Sequence, residues 1–414
     1  MMTIGVLAFV VALLVSVMLH EGGHFLTAKL FKMKATQFFV GFGPTLWSRQ
    51  KGETEYGIKA IPAGGFVKII GMTPLEDVEP ADLPRAFINK PGWQRFIVLV
   101  AGSTVHFVIA IVLLFVIALA WPSKQTGYAT IGTVYTCAIP DTNGACPAGA
   151  AAAPADGVLQ KGDVVLAVDG HDVRTTPAVL YGPGNPPQGT PVKGGADGLV
   201  ALVRAAPAGP VTLEVERDGA LKTVTMTPVI GSEHQPRLGI APQEQFVRVG
   251  PVAAAGTAAS QFGKIFTGSF GALGKIPHEI GNIFKSKTPA RTINDQGASV
   301  TSVVGVARIA GEGFSSGGVS GGSAFVLSLI AAVNIFVGIF NLFPFLPLDG
   351  GHVAILGYEK LRNAWRRRRH LSIAGPVDLA KLMPLTYGVL AIIVAVSALI
   401  LFADISNPVA NPFQ

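Results

Sequence analysis

The chain has 414 residues, of which 50% are hydrophobic and only 14% charged, with a mean hydropathy of +0.49 and a net charge of +7. A soluble globular chain is nearer about one quarter charged, so a purely cytosolic enzyme and a disordered protein are excluded. The positive charge flanks apolar stretches, which explains it better than nucleic-acid binding does.

Four stretches, 1–20, 96–123, 313–348 and 382–403, contain no Asp, Glu, Lys or Arg. Each is long enough to cross a hydrocarbon core, which takes about 20 helical residues. Residues 1–28 form the first span. It has no basic leader and no small-residue cleavage site, so it reads as a retained span rather than a signal peptide. Residues 36–70 alternate in polarity with Gly at the breaks, which predicts a β-hairpin. Its apolar face suggests that it dips into the bilayer, where irregular backbone is tolerated only against protein or a wet cavity. Residues 94–121 form the second span.

A large polar insert follows, and its core at 129–242 reads as α+β. It contains a helix near 196–205 and strands 211–217 and 223–229, joined by a turn at Asp218-Gly219. The pattern Gly157, Gly162, Asp163, Val165, Val168, Asp169, Gly170 resembles that of a PDZ domain, a fold that takes extended peptides along a sheet edge. A Pro/Gly-rich stretch at 182–198 reads as an insertion within it. Phe262, Phe266, Phe270 and Leu273 recur at helical spacing within 249–292. That segment is expected either to lie on the membrane surface or to pack on the inserted domain. Residues 311–323 read as a Gly/Ser linker, 323–351 as the third span and 384–403 as the fourth.

Ten Lys/Arg lie in 27–95 and seven in 356–381, including Arg366, Arg367, Arg368 and Arg369. Short basic loops stay cytoplasmic, so the insert is expected on the other side of the cell membrane. Cys137 and Cys146 both lie in that insert, and an extracytoplasmic position favours a disulfide over two free thiols.

The first span carries His20-Glu21-Gly22-Gly23-His24. Residues i and i+4 lie nearly above one another on a helix, so both imidazoles can hold one Zn²⁺ while Glu21 reaches the attacking water. Such groups inside a span are costly unless they are used. A catalytic zinc needs a third protein ligand at similar depth. Asp349 is the only acidic residue between Glu312 and Glu359, and Pro344 and Pro347 break the helix before it.

HExxH in the first span, together with N-x-x-P-x-x-P-L-D-G at 341–350, is similar to the site-2 protease family of intramembrane zinc metalloproteases. The inserted PDZ-like domain, GFGP at 41–44 and the hairpin resemble the bacterial branch that cuts anti-sigma factors. The resemblance implies zinc ligands His20, His24 and Asp349, general base Glu21, and substrate contacts at Asn341, Gly64, Gly65 and Phe66. It implies a polytopic α-helical membrane protein of four spans with a membrane-reentrant β-hairpin and an extracytoplasmic PDZ-like domain. It also implies cleavage of single-span membrane proteins, such as anti-sigma factors, after a first extracytoplasmic cut, with the active site toward the cytoplasm.

Two departures stand out. The branch usually carries A-G-P-x-x-N at the start of the second span, where this chain has Ala101-Gly102-Ser103-Thr104-Val105-His106. His106 is then either a fourth ligand or a hydrogen-bonding residue near the site. Gly22-Gly23 costs about 1 kcal/mol per residue in helix propensity and either admits close packing or loosens the helix. The PDZ-like domain is expected to exclude untrimmed substrates or to bind a new C-terminus. Two competing classes make weaker matches: a non-catalytic scaffold predicts a missing ligand or base, and a small-ion transporter predicts paired repeats.

Overall fold

The structure is a computed structural model that describes residues 1–72, 78–122, 124–141, 144–174, 194–206, 209–231, 235–285 and 301–406. Along the chain run helix α1 (Met2–Leu30), strands β1 (Ala35–Lys51) and β2 (Thr54–Ile69), and helix α2 (Gly92–Ala120). Next come β3 (Lys124–Val134), β4 (Val164–Val168), β5 (His171–Asp172) and helix α3 (Ala196–Ala205). Strands β6 (Val211–Arg217), β7 (Ala220–Met226), β8 (Val229–Ile230), β9 (Pro236–Arg237) and β10 (Ile240–Val247) follow. Helices α4 (Pro251–Lys285), α5 (Val303–Ser316), α6 (Gly318–Asn341), α7 (Asp349–Arg368) and α8 (Met383–Ser406) complete the chain. Contacts divide it into two compact units, Met1–Ala118 with Val252–Gln414, and Leu119–Pro251.

In the first unit, four helical stretches are long and apolar enough to cross a membrane: Met2–Leu30, Gly92–Ala120, Gly318–Asn341 and Leu379–Ser406. Helix α8 buries only Ala403 and Asp404 and exposes Leu385, Ile392, Val394 and Phe402. Such a surface needs hydrocarbon rather than water around it. The chain is a multi-pass membrane protein.

Three apolar clusters hold the unit together. Ala28, Met33, Ile69, Phe87, Val98, Leu99 and Leu356 tie the end of α1 and the base of the hairpin to α2 and α7. Phe9, Ala307, Ala310, Val326 and Ile330 join α1, α5 and α6. Ala110, Leu114, Ala258, Ala331 and Ile335 join α2, α4 and α6. Phe262 and Phe266 of α4 both pack edge-on against Phe107 of α2. Phe262, Phe266 and Leu273 of 249–292 therefore pack against α2 and α6, while Phe270 stays about half exposed. Residues 286–292 lie outside the described residues, as do 182–193 of the Pro/Gly-rich stretch.

One expectation is corrected here. Residues 311–323 are not a linker but the end of α5 and the start of α6, parted at Gly317. Their small residues serve helix contacts: a Cβ on Gly322 would come within 2.6 Å of the Phe314 carbonyl oxygen, and one on Gly311 within 2.8 Å of that of Met2. Small residues in apolar helices mark close approach rather than a loop.

In the second unit the sheet runs β10-β3-β4-β6-β7, with β5 beside β4. Alternate residues Val211, Leu213 and Val215 are buried with Ile131, Val165, Leu199 and Leu202, so α3 closes one face of the sheet. β6 and β7 meet at Asp218-Gly219, both at positive φ, as a two-residue hairpin turn of the Asp-Gly kind requires. Cys137 and Cys146 form a disulfide.

Asp163, 2% exposed, is gripped by Arg217, whose Nε and a terminal nitrogen donate to its two oxygens at 2.7 and 2.6 Å. Burial pushes the Asp163 carboxyl up, but the Arg217 bonds and the Gln160 amide hold it below the usual carboxylate range. A carboxyl depressed in the folded state binds more protons when unfolded. Its contribution is fully present above the ordinary carboxylate pKa of about 4 and is lost as pH falls from there through the lower folded-state value. Asp163→Ala leaves Arg217 without its partner and should destabilise this unit by about 3 kcal/mol at neutral pH. The loss should appear as faster proteolysis within 124–247 of the full chain and should shrink toward zero as pH drops below about 4.

Candidate metal centre

α1 carries His20 and His24 one turn apart, and both side chains are buried, at 7% and 4% exposed. The chain returns to them 325 residues after His24. There α6 ends at Asn341, a turn through Pro344 and Pro347 follows, and Asp349 opens α7. That turn packs tightly on the helix it leads into: a Cβ on Gly350 would lie 2.2 Å from the Leu342 carbonyl. No side chain fits there, which keeps Asp349 fixed at the α7 N-terminus.

One Asp349 carboxylate oxygen, Oδ2, lies 3.4 Å from His20 Nε2 and 3.3 Å from His24 Nε2. The two Nε2 atoms are 3.2 Å apart. A tetrahedral zinc with bonds of about 2.0–2.1 Å spaces its donors roughly 3.3–3.4 Å apart, so these three atoms match one face of such a tetrahedron. Two imidazoles and one carboxylate are also the donor chemistry zinc takes, and three protein donors leave a fourth position open. Among the described residues, these three form the one group of metal-ligating side chains found this close together.

The tautomers follow from the partners. His24 Nδ1 lies 2.7 Å from the Val98 carbonyl of α2, which can only accept. Nδ1 therefore carries the proton, and Nε2 presents its lone pair to the centre. Glu21 is held from the hairpin, where the Val67 backbone N–H of β2 donates to Glu21 Oε2 at 3.1 Å. That bond leaves the second carboxylate oxygen to take a proton.

The hairpin that supplies Val67 is strongly curled. Phe39 of β1 faces both Phe66 and Gly57 of β2, and Val40 faces both Gly65 and Ile58. Phe66 stacks on Phe39 with ring centroids 5.6 Å apart. Gly65 admits α1, since a Cβ there would meet Met18 Sδ at 2.5 Å. Gly64 sits at φ +139°, a conformation that favours glycine. The candidate substrate contacts Gly64, Gly65 and Phe66 thus directly precede the amide that anchors Glu21. Asn341 is the last residue of α6, eight residues before Asp349.

His106 joins the centre from behind. Its ring lies 4.9 Å from that of His20, tilted by 37°, and its Nδ1 is 2.8 Å from Asn334 Oδ1. It is not one of the three grouped donors. Sequence reasoning missed Val67, Val98, Asn334 and Ser16. Of these, only Asn334 carries a signal, as an amide in the middle of an apolar span.

The glycines divide by role. A Cβ on Gly23 would lie 2.9 Å from the Ala101 carbonyl oxygen and 2.9 Å from Val105 Cγ2, so this glycine admits α2. Around Gly22 there is open space. On α2, a Cβ on Gly102 would come within 2.4 Å of both His20 Cε1 and His24 Nε2. Gly102→Ala should therefore displace the imidazoles and weaken zinc binding by at least about tenfold, as loss of ligand orientation does. Gly22→Ala should leave zinc binding unchanged and raise stability by up to about 1 kcal/mol through helix propensity. Zinc titration and thermal unfolding of the two variants check both outcomes.

Comparisons with known proteins give the family and its metal. Residues 8–385 match the family model described as Peptidase family M50. The chain is 35% identical over 439 residues to "Zinc metalloprotease Rip1" of Mycolicibacterium smegmatis, covering 99% of each chain. It is 34% identical over 431 residues to the protein of the same name from Mycobacterium tuberculosis strain H37Rv, again over 99% of each. It is 28% identical over 366 residues to "Putative zinc metalloprotease FN1322" of Fusobacterium nucleatum, covering 87% of this chain and 91% of that relative.

Proposed function

The chain belongs to peptidase family M50, the site-2 protease family, and we propose that it cuts the transmembrane segment of single-span membrane proteins, with anti-sigma factors as the substrate class. It is a zinc metalloprotease. The observation that carries the reading is the triangle of His20, His24 and Asp349 donors, 3.2–3.4 Å on each side, two of them on the apolar helix α1 and the third at the first residue of α7.

His20, His24 and Asp349 would hold the zinc, which when bound would polarise the scissile carbonyl and acidify a water. Glu21 is the general base: with Oε2 fixed by the Val67 amide, its other oxygen takes the proton from the attacking water and passes it to the leaving amine. A helical peptide bond is shielded by its own hydrogen bonds, so the substrate must unwind at the cut. Strand β2 offers it an extended partner at Gly64, Gly65 and Phe66, directly ahead of Val67. The Asn341 amide serves the exposed substrate backbone from the end of α6.

The hairpin acts from within the bilayer, as a membrane-reentrant element. The centre lies toward the cytoplasmic face and the 129–242 domain lies outside the cytoplasm. The basic flanks at 27–95 and 356–381 support this orientation, and so does the Cys137–Cys146 disulfide, which an oxidising compartment favours. The 129–242 domain is PDZ-like and admits substrates only after a first extracytoplasmic cut. Peptide binding is the second reading for this domain. A cavity of about 310 Å³ between α3 and residues 236–242, with Arg204 and Arg237 on its wall, favours it. Gly149–Ala155 do not line that cavity but brace its Ala138–Pro140 wall through the Ala151 carbonyl.

The test is cleavage of a panel of single-span proteins, including anti-sigma-like ones in trimmed and untrimmed forms. Wild type should cut trimmed members, and Glu21→Gln should cut them roughly 10²–10⁴-fold more slowly. Deleting 129–242 should extend cutting to untrimmed members. Equal cutting by wild type and Glu21→Gln would refute the proteolytic reading. Loss of trimmed-substrate cutting in a deletion variant that still holds zinc would replace the filter by peptide binding.

A further inference from the structure

We propose that His106 is a positioning residue that accepts the Nδ1–H of His20 across one water, and that Asn334 and Ser16 hold His106 for this task. The proposal rests on the zinc protease reading above.

Three polar side chains from three helices meet inside the apolar unit: His106 of α2, Asn334 of α6 and Ser16 of α1, at 2%, 1% and 2% exposed. Polar groups at such a depth are costly unless they are satisfied and used. Their hydrogen bonds have a single consistent direction. The Asn334 amide nitrogen donates to the Ile330 carbonyl at 2.8 Å and to Ser16 Oγ at 3.1 Å. Its Oδ1 is therefore the atom that meets His106 Nδ1, at 2.8 Å, and an amide oxygen only accepts. His106 thus carries its proton on Nδ1 and a lone pair on Nε2.

His20 presents the complementary need. Its Nε2 faces Asp349, so in the neutral ligating form its proton is on Nδ1. That Nδ1 is buried and has no hydrogen-bond partner within the protein. A metal-ligating histidine almost always donates its second ring N–H, and His24 does so to Val98. The His106 ring, its centroid 4.9 Å from that of His20, is a neighbouring imidazole with a lone-pair nitrogen to offer. Helix packing alone would be served by the Asn334–Ser16 pair. It would not need an imidazole set in one tautomer against a ligand. Ser103 Oγ, buried beside Gly102 and also without a hydrogen-bond partner, is the competing acceptor.

The experiment titrates zinc into the purified full-length protein against a chromophoric chelator. It also records the visible spectrum of the cobalt form and the thermal unfolding of the metal-free form. Wild type that binds no zinc would defeat the protease reading itself; every other outcome speaks to His106 alone. His106→Phe should weaken zinc by about 10–100-fold and shift the cobalt bands, as loss of a ligand's outer partner does. His106→Gln keeps an accepting oxygen and should recover most of the affinity, while Ser103→Ala should leave it unchanged. Wild-type affinity in His106→Phe, with or without a lower unfolding temperature, would overturn the proposal. So would a loss confined to Ser103→Ala. Should His106→Phe fail to fold, Asn334→Leu decides: it removes the acceptor that sets the His106 tautomer. Weakened zinc supports the proposal and unchanged zinc overturns it.

Discussion

Glu21→Gln should lower the rate of proteolysis by roughly 10²–10⁴-fold, the usual worth of general acid–base catalysis, while zinc content stays at the wild-type level. The substitution keeps the volume of the side chain and an oxygen to accept from the Val67 amide, so the anchor at 3.1 Å survives. What it removes is the ability to take a proton. Stopped assays on a single-span substrate, with metal analysis of the same samples, separate the two effects. A near-wild-type rate would assign the base elsewhere. Loss of zinc together with rate would mean that Glu21 holds the centre rather than serving the chemistry.

Asp349→Ala should abolish both metal and activity. Without its carboxylate the centre keeps two imidazoles, one fewer protein donor than catalytic zinc sites use, and the affinity should fall by more than the roughly 10–100-fold typical of outer partners. The fold should survive, because Asp349 is the first residue of α7 and the tight Gly350 contact beside it is untouched. Metal titration checks the loss. Full zinc occupancy in this variant would move the third ligand to another side chain, with His106 the first to test.

Much of the site could be read from residue spacing alone. His20 and His24 are one turn apart in a segment too apolar to be anything but a helix, and that spacing needs no tertiary information. Asp349 is recoverable because it is the lone acid between Glu312 and Glu359. The parts that were not legible are contacts of backbone atoms or of distant residues. The Val67 amide reaches Glu21 across 46 residues, and the Val98 carbonyl reaches His24 across 74. A backbone amide or carbonyl leaves no mark in composition. His106 and Asn334 meet across 228 residues, and only the packing of α2 on α6 pairs them. Gly22 and Gly23 look alike in sequence and differ only in what faces them: open space for one, the Ala101 carbonyl for the other. The stretch 311–323 misleads for a related reason. In water Gly and Ser favour loops, whereas in an apolar bundle they let helices approach, as Gly311 and Gly322 do.

The central claim is that zinc held by His20, His24 and Asp349 cuts a peptide bond inside a membrane span. The most direct measurement is mass spectrometry of the products of a single-span substrate reconstituted in lipid with the purified protein, with and without a zinc chelator. The expected result is a cut between residues of the apolar segment that disappears with chelation and returns on adding zinc. Cleavage confined to residues outside that segment, or cleavage that survives complete removal of zinc, would contradict the account.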